Sequence, residues 1–357
     1  MIFLIFGLSI EKFIEEVKNH YQIKFYDEQI KYLNLSKWSI ISSSNVMFEY
    51  NSMFENGYIS FGYEFHPSVF FEFKGYENEL SSVIYRIIRQ KNEFLYSAIE
   101  DYLKTLEIKS EIEIQKKILE NYLKIQDLLE TQYKYLKSKQ ITRIMLNESK
   151  ITTLKTKLKS LEIEYERYMN KLNFYTKVDS VEDIEKIPVL DLKDVEYSID
   201  YKILNYELIS NENYLRASYL RIFPSIKPSI LRRVDNTYGF MVAFSIPIYP
   251  LNEINKNKLK FKSSQNYSNS IKNLLKTRIF EIRKDYERFI IEYENYEKQK
   301  QKLEEALNSL LTEYKFSNEV DFRDYYELLN DILNLELEKK RAKYKAILKF
   351  FEYITLF

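Results

Sequence analysis

The chain has 357 residues, with 54 basic and 53 acidic side chains for a formal charge of +1, and 32 of its residues are tyrosine. Balanced charge removes the clustered basic excess on which nucleic-acid binding depends, so no nucleic-acid partner is expected. The absence of cysteine excludes disulfides, thiolate metal sites and cysteine nucleophiles, and two histidines, His20 and His66, are too few for a histidine-rich metal site in one chain.

The N-terminal "MIFLIFGLS" is an apolar run without a basic flank. It reads either as the remnant of a signal peptide over residues 1–9 or as the apolar first turn of a helix. Beyond Gly7, glycine and proline fall in short zones: Gly57, Gly62, Pro67 and Gly75, then Pro188, then Pro224 to Pro250. Such residues punctuate structure, so the clean spans between them are expected to be long helices, at about 76–137 and 252–316. Each would reach about 90 Å at 1.5 Å per residue, three times the thickness of a bilayer core, and must lie outside any membrane. Nowhere is there a run of about 18 apolar residues, the length of a membrane-spanning helix.

Periodicity agrees with this division. From Ile282 the apolar positions run through Tyr286, Phe289, Tyr293 and Tyr296, are interrupted at Lys300, and resume at Leu303, Leu307, Leu310 and Tyr314. That spacing of three and four is a heptad seam. A broader stripe begins at Leu80, Ile84 and Ile87 and continues past Ala98, Tyr102 and Leu106.

The zones of breakers read as strands. In "YGFMVAFSIPIYP" the large side chains Tyr238, Phe240, Val242, Phe244 and Ile246 alternate with Gly239, Met241, Ala243, Ser245 and Pro247. "GYISFGYEFHP" sets Ile59, Phe61, Tyr63 and Phe65 against Ser60, Gly62, Glu64 and His66. The expected strands span about 38–50 and 57–67, then about 223–234 and 238–248, each pair forming a hairpin. Pro67 and Pro247 would end strands. About ten residues with one apolar and one polar face is the length and pattern of a tilted transmembrane β-strand.

The order helix, hairpin, long helix, returning helix occurs in residues 10–175 and again in 196–357, at an offset of about 180 residues, with a polar linker at 176–195. "TQYKY" (131–135) matches "TEYKF" (312–316), and Pro67 matches Pro247. The strand faces are one residue out of phase at this offset, so a bulge or slip is expected there. Four strands cannot close a membrane barrel, which needs at least eight because open edges in lipid strand backbone polar groups. Three chains pooling twelve strands give the simplest closed solution. The expected fold is thus mainly α with a small β part: two repeats that trimerise into a 12-stranded β-barrel and an α-helical barrel.

Four stretches carry a resemblance to a known family. They are "QITRIMLNESKI" (140–151), "YLRIFPSIKPSI" (219–230), "FSIPIY" (244–249) and "YYELLNDILNLELEKKRAKYKAIL" (325–348). Together they resemble the outer-membrane efflux proteins, the TolC-like channel-tunnels, along nearly the whole chain. The resemblance implies a homotrimer in outer-membrane lipid with its helical part in the periplasm. It also implies docking with a periplasmic adaptor (membrane fusion) protein and an inner-membrane transporter, in a tripartite efflux or type I secretion system. Such a duct is passive and needs no cofactor, metal or catalytic residue.

The same resemblance places a periplasmic gate where the long helices turn back, near 137–143 and 317–323. Asp324 and Glu327 match positions where the family often has aspartates, and three copies would form acidic rings. The pair equally suits a solvated helix N-terminus, where the helix dipole favours acids. The family's turn glycine is absent, and Asn318, which tolerates a left-handed backbone, occupies the second turn. Arg143 falls where an acid is expected. On this reading Phe240, Val242, Phe244 and Ile246 face lipid. The rival reading, a cytosolic coiled-coil scaffold, accounts for the heptads but not for two alternating hairpins at equivalent positions. An enzyme is not expected, since no nucleophile set, phosphate-cradling loop or H-E-x-x-H arrangement is present.

Overall fold

A computed structural model describes residues 9–39, 46–51, 58–63, 65–136, 141–233, 237–245, 251–317 and 322–357. In chain order these form α1 (Ile10–Lys18), α2 (Tyr21–Ser39), β1 (Val46–Asn51), β2 (Tyr58–Tyr63), α3 (Val69–Leu136) and α4 (Ile141–Tyr175). After a 3-10 turn at Val195–Tyr197 come α5 (Ile199–Leu220), β3 (Ser225–Arg233), β4 (Tyr238–Ser245), α6 (Leu251–Ser317) and α7 (Phe322–Thr355). The molecule is mainly helical, and the order α2–β1–β2–α3–α4 recurs as α5–β3–β4–α6–α7 about 180 residues later.

Some boundaries differ from those the sequence implies. Trp38 and Ser39 are helical, and among the described residues β1 spans Val46–Asn51. α3 starts at Val69 and carries Gly75 inside it. Its glycine suits packing and not a turn: a Cβ at Gly75 would lie a crowded 3.0 Å from the Tyr214 ring, and the Gly75 carbonyl accepts the Ser210 hydroxyl at 2.8 Å.

The chain divides into two compact units. One combines α1, the part of α3 from Glu93, α4, the segment to Asp191, α6 from Phe280 and α7. Its core gathers Phe13 and Val17 of α1, Ala98, Tyr102 and Leu106 of α3, Leu172 of α4 and Ile347 of α7. The Phe13 and Tyr102 rings lie 5.0 Å apart. A second patch joins α3 to α4 through Ile108, Ile112, Leu158 and Leu161. A third joins α3 to α7 through Ile114, Ile118, Leu333 and Leu337. Lys300, the polar break in the α6 seam, is there to meet Glu336 of α7 at 3.3 Å.

Residues 176–191, polar in sequence, are not a free tether. Val178 and Val181 are buried in the same core. Tyr102 donates to the Glu182 carbonyl at 3.0 Å, Lys109 to the Val181 carbonyl at 2.7 Å and Tyr286 to the Pro188 carbonyl at 2.7 Å. Asp183 accepts the Tyr344 hydroxyl at 2.9 Å. Burial opposes its ionisation, yet Lys343, Tyr344 and Lys340 hold its carboxyl below the ordinary range. The segment is a strap bound by its backbone to α3 and α6 and by the Asp183 side chain to α7.

The other unit holds α2, α3 as far as Asn92, the four strands, α5 and α6 as far as Ile279. α3 is flanked by α2 through Lys91 and Asp27 at 2.6 Å. On its other side α5 is bound by Arg89–Asp200 at 3.1 Å and by the stacked Tyr85 and Tyr206 rings.

Leu172 is 0% exposed at the centre of the larger core. Leu172→Ala should therefore cost about 2–5 kcal/mol, measured as a lower denaturant midpoint of the helical circular dichroism signal. Ile163→Ala, on an exposed face of the same helix, should change stability by roughly 0.5 kcal/mol or less.

Candidate functional site

The strands form one antiparallel sheet in the order β1-β2-β3-β4. Each hairpin pairs within itself, and β2 pairs with β3 to join the two repeats. All three ladders run residue for residue, so no bulge interrupts the described strands. Four positions separate Phe65 from the start of α3, while seven separate its counterpart Phe244 from the start of α6.

The faces of this sheet are inverted relative to a sheet packed in water. Register aligns Phe61, Ile230 and Phe240 in one row and Phe65, Ile226 and Phe244 in another. These side chains point outward: Tyr238 is 72% exposed, Phe240 70% and Phe244 67%, with Val242 also exposed. The small polar residues are the hidden ones, with Ser60 4% and Ser229 7% exposed. A Cβ at Gly62 would lie 2.6 Å from the Ser229 Cβ and 2.8 Å from the Pro228 carbonyl oxygen. Only glycine lets β2 and β3 approach so closely on the small face. Ile246 and Pro247 lie outside the described residues.

Beneath the sheet, one cation ties the two repeats together. Arg221, the C-cap of α5, donates to Glu72 at 2.7 Å and reaches Glu253 at 3.2 Å. These glutamates stand in the first turns of α3 and α6, at equivalent positions of the repeat. Glu72 also accepts the Ser68 hydroxyl at 2.7 Å. Burial alone would push the Glu72 carboxyl up, but Arg221 and Ser68 hold it below its ordinary value of 4.5. His66 completes the chain. Its Nδ1 lies 2.8 Å from the Ser68 hydroxyl and 3.1 Å from the Ser68 backbone nitrogen, and its Nε2 lies 3.0 Å from the Phe223 carbonyl. Pro67 sits between these partners, after the single Phe65–Ile226 bridge and before α3. The sequence reading does not single out Arg221. The pair of first-turn glutamates offset by one repeat was the signal that could have found it.

At the other end of the long helices, Asn318 and the turns at 137–140 and 318–321 lie outside the described residues. Asp324 is exposed in the first turn of α7, with Arg323 at 3.6 Å. Glu327 is exposed one turn on, at the rim of a groove that includes Lys150, Asn330 and Asp331. Arg143 is exposed near the start of α4. The described residues thus place Asp324 and Glu327 on one helix and bring Arg143 to neither. What binds these helices is polar and was not foreseen. Asn121 donates to Asn330 at 2.8 Å between α3 and α7, and Asn147 of α4 reaches Gln126 at 2.8 Å. Glu111 of α3, largely buried, pairs with Lys157 of α4 at 2.8 Å and Arg341 of α7 at 2.7 Å. Among the described residues no cluster of side chains suits a metal ion, and no helix is long and apolar enough to cross a membrane.

No family model matches the chain. No curated protein matches it either. Solved structures do. The outer membrane protein VceC of Vibrio cholerae superposes with a TM-score of 0.71 at 12% identity, covering 97% of this chain and 95% of its own. The CmeC outer membrane channel of Campylobacter jejuni gives 0.66 at 13% identity, covering 97% and 84%. The open-state MtrE outer membrane channel of Neisseria gonorrhoeae gives 0.65 at 12% identity, covering 96% and 88%. At these identities the likeness is one of fold, and the chain has the fold of these TolC-like channels.

The lowered Glu72 carboxyl makes a pH prediction. A depressed folded value contributes stability that is full above the ordinary carboxylate range and is lost as pH falls through the folded value. The thermal unfolding midpoint, followed at Tyr and Trp fluorescence, should therefore fall on acidification below about pH 4.5. Glu72→Gln should be less stable than the parent at pH 7 and should show a smaller acid-dependent fall.

Proposed function

We propose that this chain is the outer-membrane channel component of a tripartite efflux or type I secretion system, a passive duct that operates as a homotrimer. The observation that carries the reading is the inverted sheet. Eight or more large apolar side chains facing water would cost about 1.5–3 kcal/mol each relative to burial, whereas facing hydrocarbon they are at home. A cytosolic coiled-coil scaffold gives no account of that face. The fold shared with three outer membrane proteins supports the same conclusion.

The edges of the sheet support the oligomer. β1 and β4 each pair on one side only within the described chain, and open edges are not tolerated in lipid. The β4 edge of one copy would meet the β1 edge of the next, so that three copies close twelve strands into a barrel. The helices flanking those edges carry matching apolar stripes. α2 exposes Phe25, Tyr32 and Leu35, and α6 exposes Leu259, Tyr267 and Leu274 at near-heptad spacing. A head-to-tail contact that closes after three copies would bury both stripes.

In the trimer Phe240, Val242, Phe244 and Ile246 would meet lipid, and the row with Ser60, Gly62 and Ser229 would line the pore. The helical part, too long and too charged for a membrane, would stand in the periplasm, where an adaptor protein and an inner-membrane transporter dock. Asp324 and Glu327 from three chains would ring the narrow end, with Asn318 and Arg143 at the adjoining turns. Like charges brought together there would attract cations.

Three sets of measurements test this. Reconstituted protein should migrate as a trimer and conduct in planar bilayers, and a monomer that neither inserts nor conducts refutes the reading. Val242→Arg, a charge near the centre of the lipid face, should weaken insertion by about 2–4 kcal/mol. Reversing both Asp324 and Glu327 to lysine should lower the permeability ratio of cations to anions. Unchanged selectivity removes the gate assignment and leaves the channel intact.

A further inference from the structure

We propose that Arg232 is a binding point for the phosphate headgroup of an anionic membrane lipid. The inference rests on the membrane reading of the sheet. On the outward apolar face, every other position of the described strands is apolar or tyrosine, and Arg232 is the one charged residue. It stands in the last row of that face, the row farthest from α3 and α6, where register reads Tyr50, Ile59, Arg232, Tyr238.

Its position decides what the charge is for. Arg232 lies six residues along β3 from Ile226, about 20 Å at 3.3 Å per residue. At the other end the apolar surface continues past the ladder through exposed Phe70, Phe223 and Leu251. Arg232 is therefore at one rim of the band and not at its middle. An arginine at the midplane of a lipid-facing strand costs about 2–4 kcal/mol, but near the interface the cost falls to about 0–1. There its stem lies on hydrocarbon while its guanidinium reaches the headgroups.

The chemistry of the row selects a phosphate. A guanidinium presents planar paired donors that match phosphate oxygens two at a time. The Arg232 guanidinium lies 6.0 Å from the Tyr238 ring centroid, beside an aromatic of the kind that seats at headgroup depth. Arg233, exposed at the same end on the opposite face, has the same sign. A basic side chain at an anionic surface is worth about 1 kcal/mol, or about a fivefold change in partition.

The test uses the full chain reconstituted in phosphatidylcholine liposomes containing a minor fraction of phosphatidylglycerol. Lipid retained after detergent extraction is counted by native mass spectrometry. The parent should retain phosphatidylglycerol over phosphatidylcholine, and Arg232→Gln should lose about fivefold of that preference. Arg233→Gln, on the other face, should keep it. Equal preference in the parent and Arg232→Gln overturns the proposal. So does full displacement of phosphatidylglycerol by millimolar inorganic phosphate, which marks a site for solution anions. If Arg232→Gln does not assemble, Arg232→Lys takes its place, and an unchanged preference there overturns the paired-donor contact. Flotation separates the two levels of failure. A parent that does not float with pure phosphatidylcholine liposomes refutes the membrane reading and this proposal together. Flotation without an Arg232-dependent preference refutes this proposal alone.

Discussion

A sheet that hides serine and glycine and shows phenylalanine is stable only where its surroundings are not water, and most of the molecule follows from that condition. The strands are short, and their edges β1 and β4 remain open within one chain. Backbone groups left unpaired in hydrocarbon are more costly than in water, so the same environment that accepts Phe240 and Phe244 rejects a solitary four-stranded sheet. On the channel proposal, apolar exposure and incomplete pairing have one remedy, further copies of the chain.

The helices obey the opposite rule. Their packing is that of buried apolar cores: Phe13, Tyr102 and Leu172 in one, with smaller patches along α3. Where the apolar patches thin out, single charged or amide groups join helices. Glu111 holds α4 and α7 to α3 through Lys157 and Arg341, and burial would push its carboxyl up if those two cations did not hold it down. Arg221 does the same with reversed sign, one cation between Glu72 and Glu253. A buried or half-buried charge with two partners fixes geometry more than it adds stability, since desolvation offsets much of the attraction. In both places the shared charge sets where one long helix starts or lies relative to another.

Much of this was legible in the sequence for identifiable reasons. Glycine and proline are scarce enough that their few positions mark element ends, and alternation in Tyr238–Ser245 has the period of two that only a strand gives. The reading failed where tertiary contacts override local signals. Gly75 reads as a breaker but lies inside α3, because the Tyr214 ring needs the space a Cβ would fill. Residues 176–191 read as a polar tether because their hydrogen bonds to Tyr102, Lys109 and Tyr286 use backbone carbonyls, which every residue carries. Of the candidate gate, the acids Asp324 and Glu327 were suggested by the family resemblance. The amide pair Asn121–Asn330 was not, since two asparagines 209 positions apart look like surface residues.

By itself the sequence determined the repeat, the helix lengths and the two-faced strands, because each depends on periodicity or on residues that break it. Only the tertiary structure decided that β2 pairs with β3 and makes one sheet of two hairpins. It alone placed Arg221 between the glutamates of both repeats and Arg232 in the last row of the apolar face. Those facts concern which distant residues meet, and distance along a chain carries no record of direction in space.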